Sequence, residues 1–244
     1  MGTRSIIGVL GVLRKLKRTE GLNLAHSTLQ YLQNWSEDSS PSVVLRMSIA
    51  IIEQIEDARN ILAASDLTDE AKEGLLATLD GLSAAFSLGG MNTQLQNYLP
   101  ALDSAITNFA IVSSLAGSEF PEEANREIDA LVVEIKALRD SAEVANLGRP
   151  LADTVTRLLN ALLALLHNAA AVGVDAALAA YLDLVVQLRR TQPPKKAGDD
   201  AKSGIWATIT SWSDRLVKIS NLVDAGSKLA PILERAPEIL KLLG

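Results

Sequence analysis

Residues 205–223 read IWATITSWSDRLVKISNLV, and this stretch decides the fold. Ile205, Ile209, Trp212, Leu216, Ile219 and Val223 recur at alternating spacings of four and three. A strand would repeat every second residue, whereas a helix turning every 3.6 residues gathers these side chains into one stripe. The stripe is a heptad seam of about three repeats if Gly226 is included. Its flanks, Trp206, Thr208, Ser213, Arg215, Ser220 and Leu222, hold few of the charges that line a free two-stranded coiled coil. The spacing therefore predicts an amphipathic helix lying in a groove, of its own bundle or of a partner. Trp206 and Trp212 are two of only three tryptophans. With Ile209, Leu216 and Ile219 they form the expected partner-binding set, since large rings make the strongest anchors.

The same period runs back through the chain. Residues 192–204, QPPKKAGDDAKSG, carry two prolines and no apolar stripe, which predicts a flexible linker. Before it, Ser40-Pro41, Thr68 and Pro121-Glu122-Glu123 are helix starts, with a capping hydroxyl, a proline where no N–H is needed, or anions on the first turn. Helical patterns cover 3–19, 22–35, 41–64 (with an apolar face of Val44, Met47, Ile51, Ile55, Ile61 and Leu62), 68–88, 100–117, 121–148, 150–171 and 175–190, with a short turn in 92–99 and a last short helix after Pro231. Leu131–Lys136 echoes residues 184–189, but six residues are too few for a repeat. The expected fold is all-α, an antiparallel bundle of about six or seven helices with a C-terminal amphipathic arm. Its parts are a basic amphipathic segment (1–35), a helical core (36–191), the linker (192–204) and the arm (205–244).

Composition agrees with a packed helical protein. Of 244 residues, 48% are hydrophobic and only 4% aromatic, so Leu, Ile, Val and Ala must fill the core. Mean hydropathy is +0.18, which excludes disorder for most of the chain. The net charge of −6 is uneven: residues 36–148 are strongly acidic and both ends are mildly basic. That pattern argues against a nucleic-acid channel.

Catalytic signatures are missing. There is no cysteine, so thiol nucleophiles and thiolate metal sites are excluded. No phosphate loop, nucleophile elbow or His-Glu-x-x-His helix is present. A helical bundle raises the di-iron site, which needs Glu-x-x-His pairs. Asn23 precedes His26 by three and Ala164 precedes His167, so that site fails on residue identity. Neither histidine has a placed nucleophile, and both read as structural. Glu53, Glu56 and Asp57, like Glu122, Glu123 and Glu127, read as solvated faces or helix starts. No catalytic residue, cofactor or metal is expected.

Two segments suggest a membrane alternative. In the first helix Ile6, Leu10 and Leu13 share an apolar arc with Val9, Val12 and Leu16, while Arg14, Lys15 and Arg18 lie opposite. Such a helix can rest on an anionic bilayer. Lys17 falls inside the arc and would have to snorkel. Residues 158–174 hold no charge, but 17 residues with Asn160, His167 and Asn168 read better as a buried helix than as a span. The basic residues follow the apolar run of the first helix, which is not the order of a signal peptide. With the lack of cysteine, this favours a cytoplasmic location, peripheral at a membrane in the alternative reading. The expected function is a non-enzymatic interaction or assembly protein that docks a protein partner or itself through apolar helix faces. The alternative is a membrane-active protein stored in soluble form.

Overall fold

The computed structural model describes residues 4–36, 40–115, 120–191 and 204–223. Among these the chain is all-helical, with eleven α-helices and a 3-10 turn at Leu95–Asn97. An isolated bridge between Ser27 and Gln94 is the nearest approach to sheet among the described residues. The expected linker up to Ser203 and the helix after Pro231 lie outside the described residues. The chain divides into two compact units, Met1–Phe120 with Asn168–Gly173, and Pro121–His167 with Val174–Gly244.

The first unit holds α1 (Arg4–Arg18), α2 (Thr28–Ser36), α3 (Pro41–Ala64), α4 (Asp69–Phe86), α5 (Leu102–Leu115) and α9 (Ala169–Val172). Helices α1, α3, α4 and α5 each touch the next around a closed circuit, and α9 packs on α1 and α3. Helix α3 follows Ser40 and takes Pro41 in its first turn, where the missing N–H costs nothing. Thr68 caps α4 by accepting from the Ala71 N–H, and Asp69 and Glu70 face the positive end of its dipole. Arg59 pairs with Asp80 at 2.8 Å, and Ser48 Oγ donates to the Phe86 carbonyl. The order of these pairs makes α3 and α4 antiparallel.

Helix α1 is enclosed. Ile6, Val9, Leu10, Val12, Leu13 and Leu16 are all buried, against α3, α5 and α9. Gly8 leaves room for the Gln54 side chain, and Gly11 for the backbone of Ala170. Tyr31, Trp35 and Phe86 form an aromatic cluster. Trp35 donates its indole N–H to Thr19 at 2.7 Å, and its carbonyl accepts from Asn168.

The second unit holds α6 (Glu122–Arg139), α7 (Ala142–Ala145), α8 (Arg149–His167), α10 (Val174–Thr191) and α11 (Gly204–Val223). Here α6, α8, α10 and α11 make a second closed circuit, with α7 against α6, α8 and α11. In α8 every residue from Ala161 to Leu166 is buried. Among the described residues no helix is long and apolar enough to cross a membrane.

Three expected helices change their bounds. Residues 22–27 form no helix, because Asn23 folds a turn in which its Oδ1 accepts from the Ala25 N–H. The helix expected over 121–148 breaks at Asp140, since Ser141 caps a new start by accepting from Val144. The helix expected to reach Ala171 ends at His167. Asn168 leaves the helical region there, and α9 starts afresh. The described chain thus has more, shorter segments than the six or seven helices expected of the core.

Candidate functional site

The seam of α11 faces inward. Ile205, Ile209, Trp212, Leu216 and Ile219 are buried, and α11 packs on α6, α10 and α7. Of the expected partner-binding residues Trp206, Ile209, Trp212, Leu216 and Ile219, only Trp206 keeps part of its surface. A ladder of polar contacts sets the register. Lys218 Nζ lies 2.6 Å from Glu127 and 3.5 Å from Glu123, and Arg215 lies 2.7 Å from Glu134. At the other end the Glu143 carboxylate sits beside Gly204, where the α11 dipole favours an anion. Residue numbers fall on α6–α7 as they rise on α11, so the two run antiparallel. The hydrogen bond from Lys218 holds the Glu127 carboxyl below the usual range, and Glu127 in turn raises Lys218. Tyr181 of α10 donates its hydroxyl to the Ile209 carbonyl at 3.1 Å, and burial pushes this phenol up to about 12.

The residues expected at a membrane divide between core and surface. Ile6, Leu10 and Leu13 are buried in the first unit. Arg14 and Arg18 are exposed, and Lys15 is half-buried with its ammonium 5.5 Å from the Trp35 ring centre. Lys17, the cation inside the apolar arc, reaches Asp103 of α5 at 2.6 Å.

His26 is half-buried and takes part in the Asn23 turn, its Nδ1 accepting from the Asn23 N–H. His167 is exposed at the end of α8. Among the described residues no group of three His, Cys, Asp or Glu could hold a metal ion.

Among the described residues six large apolar side chains stay exposed: Leu45 and Ile49 on α3, Leu88 after α4, Ile111 on α5, Val133 on α6 and Val186 on α10, and α3 is the helix that carries two of them. Leu45 is 40% exposed and Ile49 is 48% exposed, one turn apart on the side away from the buried Met47, Ile51 and Ile55. Ile52, half-buried, continues the line at a spacing of three. The apolar face assigned from sequence, with Val44, Met47, Ile51, Ile55, Ile61 and Leu62, omits these three. Their signal is a second aliphatic line at spacings of four and three, outside the first. No family model, curated protein or solved structure matches the chain.

Proposed function

We propose that this protein is a non-enzymatic helical interaction protein, and that its docking surface is the outer face of α3. The observation that carries the reading is the adjacent exposure of Leu45 and Ile49 on a helix whose opposite face is fully packed. Single exposed aliphatic residues are ordinary, but a line of them on one helix marks a contact surface. The seam of α11, the first candidate from sequence, is already used within its own unit, which moves the proposal to α3. In this reading each unit is an antiparallel helix bundle, and α11 is an arm folded onto its own bundle. The partner is a protein presenting an apolar helix face, another copy of this chain included. Burial of Ile6, Leu10 and Leu13 weighs against the membrane alternative, which would require α1 to leave its unit.

A photo-crosslinking residue at position 49, with a control at the exposed Glu70 of α4, tests this in the intact cell. Discrete adducts at position 49, absent at 70 and abolished by Leu45→Glu, are expected. No adduct at position 49, or equal adducts at both positions, would overturn the reading.

A further inference from the structure

We infer that α9 is a strap that holds α1 in the first unit and opens on its own, a conformational device independent of the α3 docking surface. Residues 168–173 belong to the first unit, whereas α8 and α10, the helices on either side of them in the chain, belong to the second. A six-residue detour of the chain thus completes a core otherwise built from the first 120 residues, by packing on α1 and α3.

Local preference alone would make a plain helix here, since residues 150–171 carry one helical pattern rich in leucine and alanine. Instead the chain leaves the helix at Asn168 and turns at Gly173, whose φ of 83° and ψ of 153° lie where glycine alone enters freely. Docking overrides the preference. Asn168, Ala169, Ala171 and Val172 are each at most 3% exposed. Asn168 Nδ2 donates to the Trp35 carbonyl at 3.1 Å. The Ala170 carbonyl and the Ala171 Cα fill the space that Gly11 leaves on α1, and the Gln54 side chain of α3 lies against both Gly8 and Gly173.

This docking is light. The strap buries two alanines and a valine, where α1 buries six larger aliphatic residues. Its backbone bonds are internal: the Ala171 and Val172 N–H groups donate to the Asn168 carbonyl, and Gly173 donates to Ala169. The strap therefore lifts without breaking them. Gln54 Oε1 is closed off from solvent and accepts no hydrogen bond among the described residues. Water reaching that oxygen offsets part of the cost of opening. A segment with few buried contacts opens before its surroundings, and its release uncovers α1 along Gly11.

Thiol labelling of the full chain, which has no cysteine of its own, tests the inference. Val172→Cys puts one buried thiol on the strap with little change of volume, and Ala169→Cys is an independent second site. Under native conditions a thiol reagent should label position 172 roughly tenfold faster than a cysteine at Ile209 of α11, with an unchanged circular dichroism spectrum. Asn168→Ala, which removes the bond to Trp35, should raise the rate at 172 by a further factor of roughly five. The adduct then keeps the strap from reseating. Hydrogen exchange read by mass spectrometry should show the amides of Val9–Leu16 exchanging roughly tenfold faster in the labelled protein, with α11 and Ala161–Leu166 of α8 as slow as before. Labelling at 172 no faster than at 209 would overturn the independent opening. An adduct that leaves α1 protected, or that speeds α11 as much as α1, would overturn the strap's hold on α1.

Discussion

The β-carbon that Gly11 lacks would stand 2.6 Å from the carbonyl oxygen of Ala170. Glycine inside a helix ordinarily costs about 1 kcal/mol relative to alanine. Helix α1 accepts that cost because the backbone of α9 occupies the space. Gly11→Ala should therefore reverse the usual sign and destabilise by roughly 1–3 kcal/mol through overpacking. The open position Gly74 on α4 is the control, since nothing lies near its missing β-carbon. Gly74→Ala should stabilise by roughly 0.5–1 kcal/mol. Urea unfolding of both variants reads the two signs.

Trp212 is fully buried and Trp206 is not, although both sit on α11. Trp212→Ala should cost about 3–5 kcal/mol, the range for a large buried ring. Trp206→Ala should cost much less. Equal losses in chemical denaturation would mean that the seam does not organise α11 as described.

The phenol of Tyr181 sets a limit at high pH. Burial raises it to about 12 from 10.0, the Asp214 charge adds to this, and a hydrogen bond with Ser213 opposes it. Because the folded value is the higher one, the contribution is fully present below the unfolded value. It is lost as pH rises through the folded value. The phenolate absorbance that wild type shows and Tyr181→Phe lacks should therefore appear together with helix loss. Ionisation of Tyr181 in the ordinary tyrosine range, with helix intact, would contradict its placement against Ile209. Below that range, Tyr181→Phe should cost about 1 kcal/mol for the hydrogen bond.

The Lys218 contacts with Glu127 and Glu123 lie at the surface. Glu127 has its carboxyl lowered, so its contribution is present above the unfolded carboxylate value. It is lost as pH falls through the folded one. Lys218→Glu should lower the melting temperature at neutral pH and low salt, and the difference should shrink as salt screens the charges. A deficit independent of salt would point to packing instead of charge.

Much of this fold is legible in the amino-acid sequence. The seam at Ile205, Ile209, Trp212, Leu216 and Ile219 is buried as a stripe, and the starts at Pro41 and Asp69 obey local capping rules. Those features depend on neighbours within one or two turns. What covers a stripe depends on residues far away in sequence. Nothing within 205–223 indicates that Glu123, Glu127 and Glu134, some ninety residues earlier, form the matching row. The placement of residues 168–173 with the first unit is likewise non-local. So is the reason for Gly11. The breaks at Asp140 and Asn168 escape sequence reasoning because Ser141 and Asn168 are weak signals inside strong helical patterns. The candidate surface is legible in part. Leu45 and Ile49 stand in the sequence as surplus aliphatic residues on α3, but the tryptophans of α11 give the stronger sequence signal for an anchor.

In the proposed protein the outer face of α3 makes contacts while the seam of α11 stays inside. The chain has no cysteine, so single-cysteine variants at Ile49 and Ile209 report each surface without background. The decisive measurement is the rate at which a thiol reagent labels the two purified variants under native conditions. Ile49→Cys should be labelled at the rate of an exposed thiol, and Ile209→Cys only as fast as its unit opens. Fast labelling at position 209, with position 49 protected, would contradict the account and return the contact surface to α11.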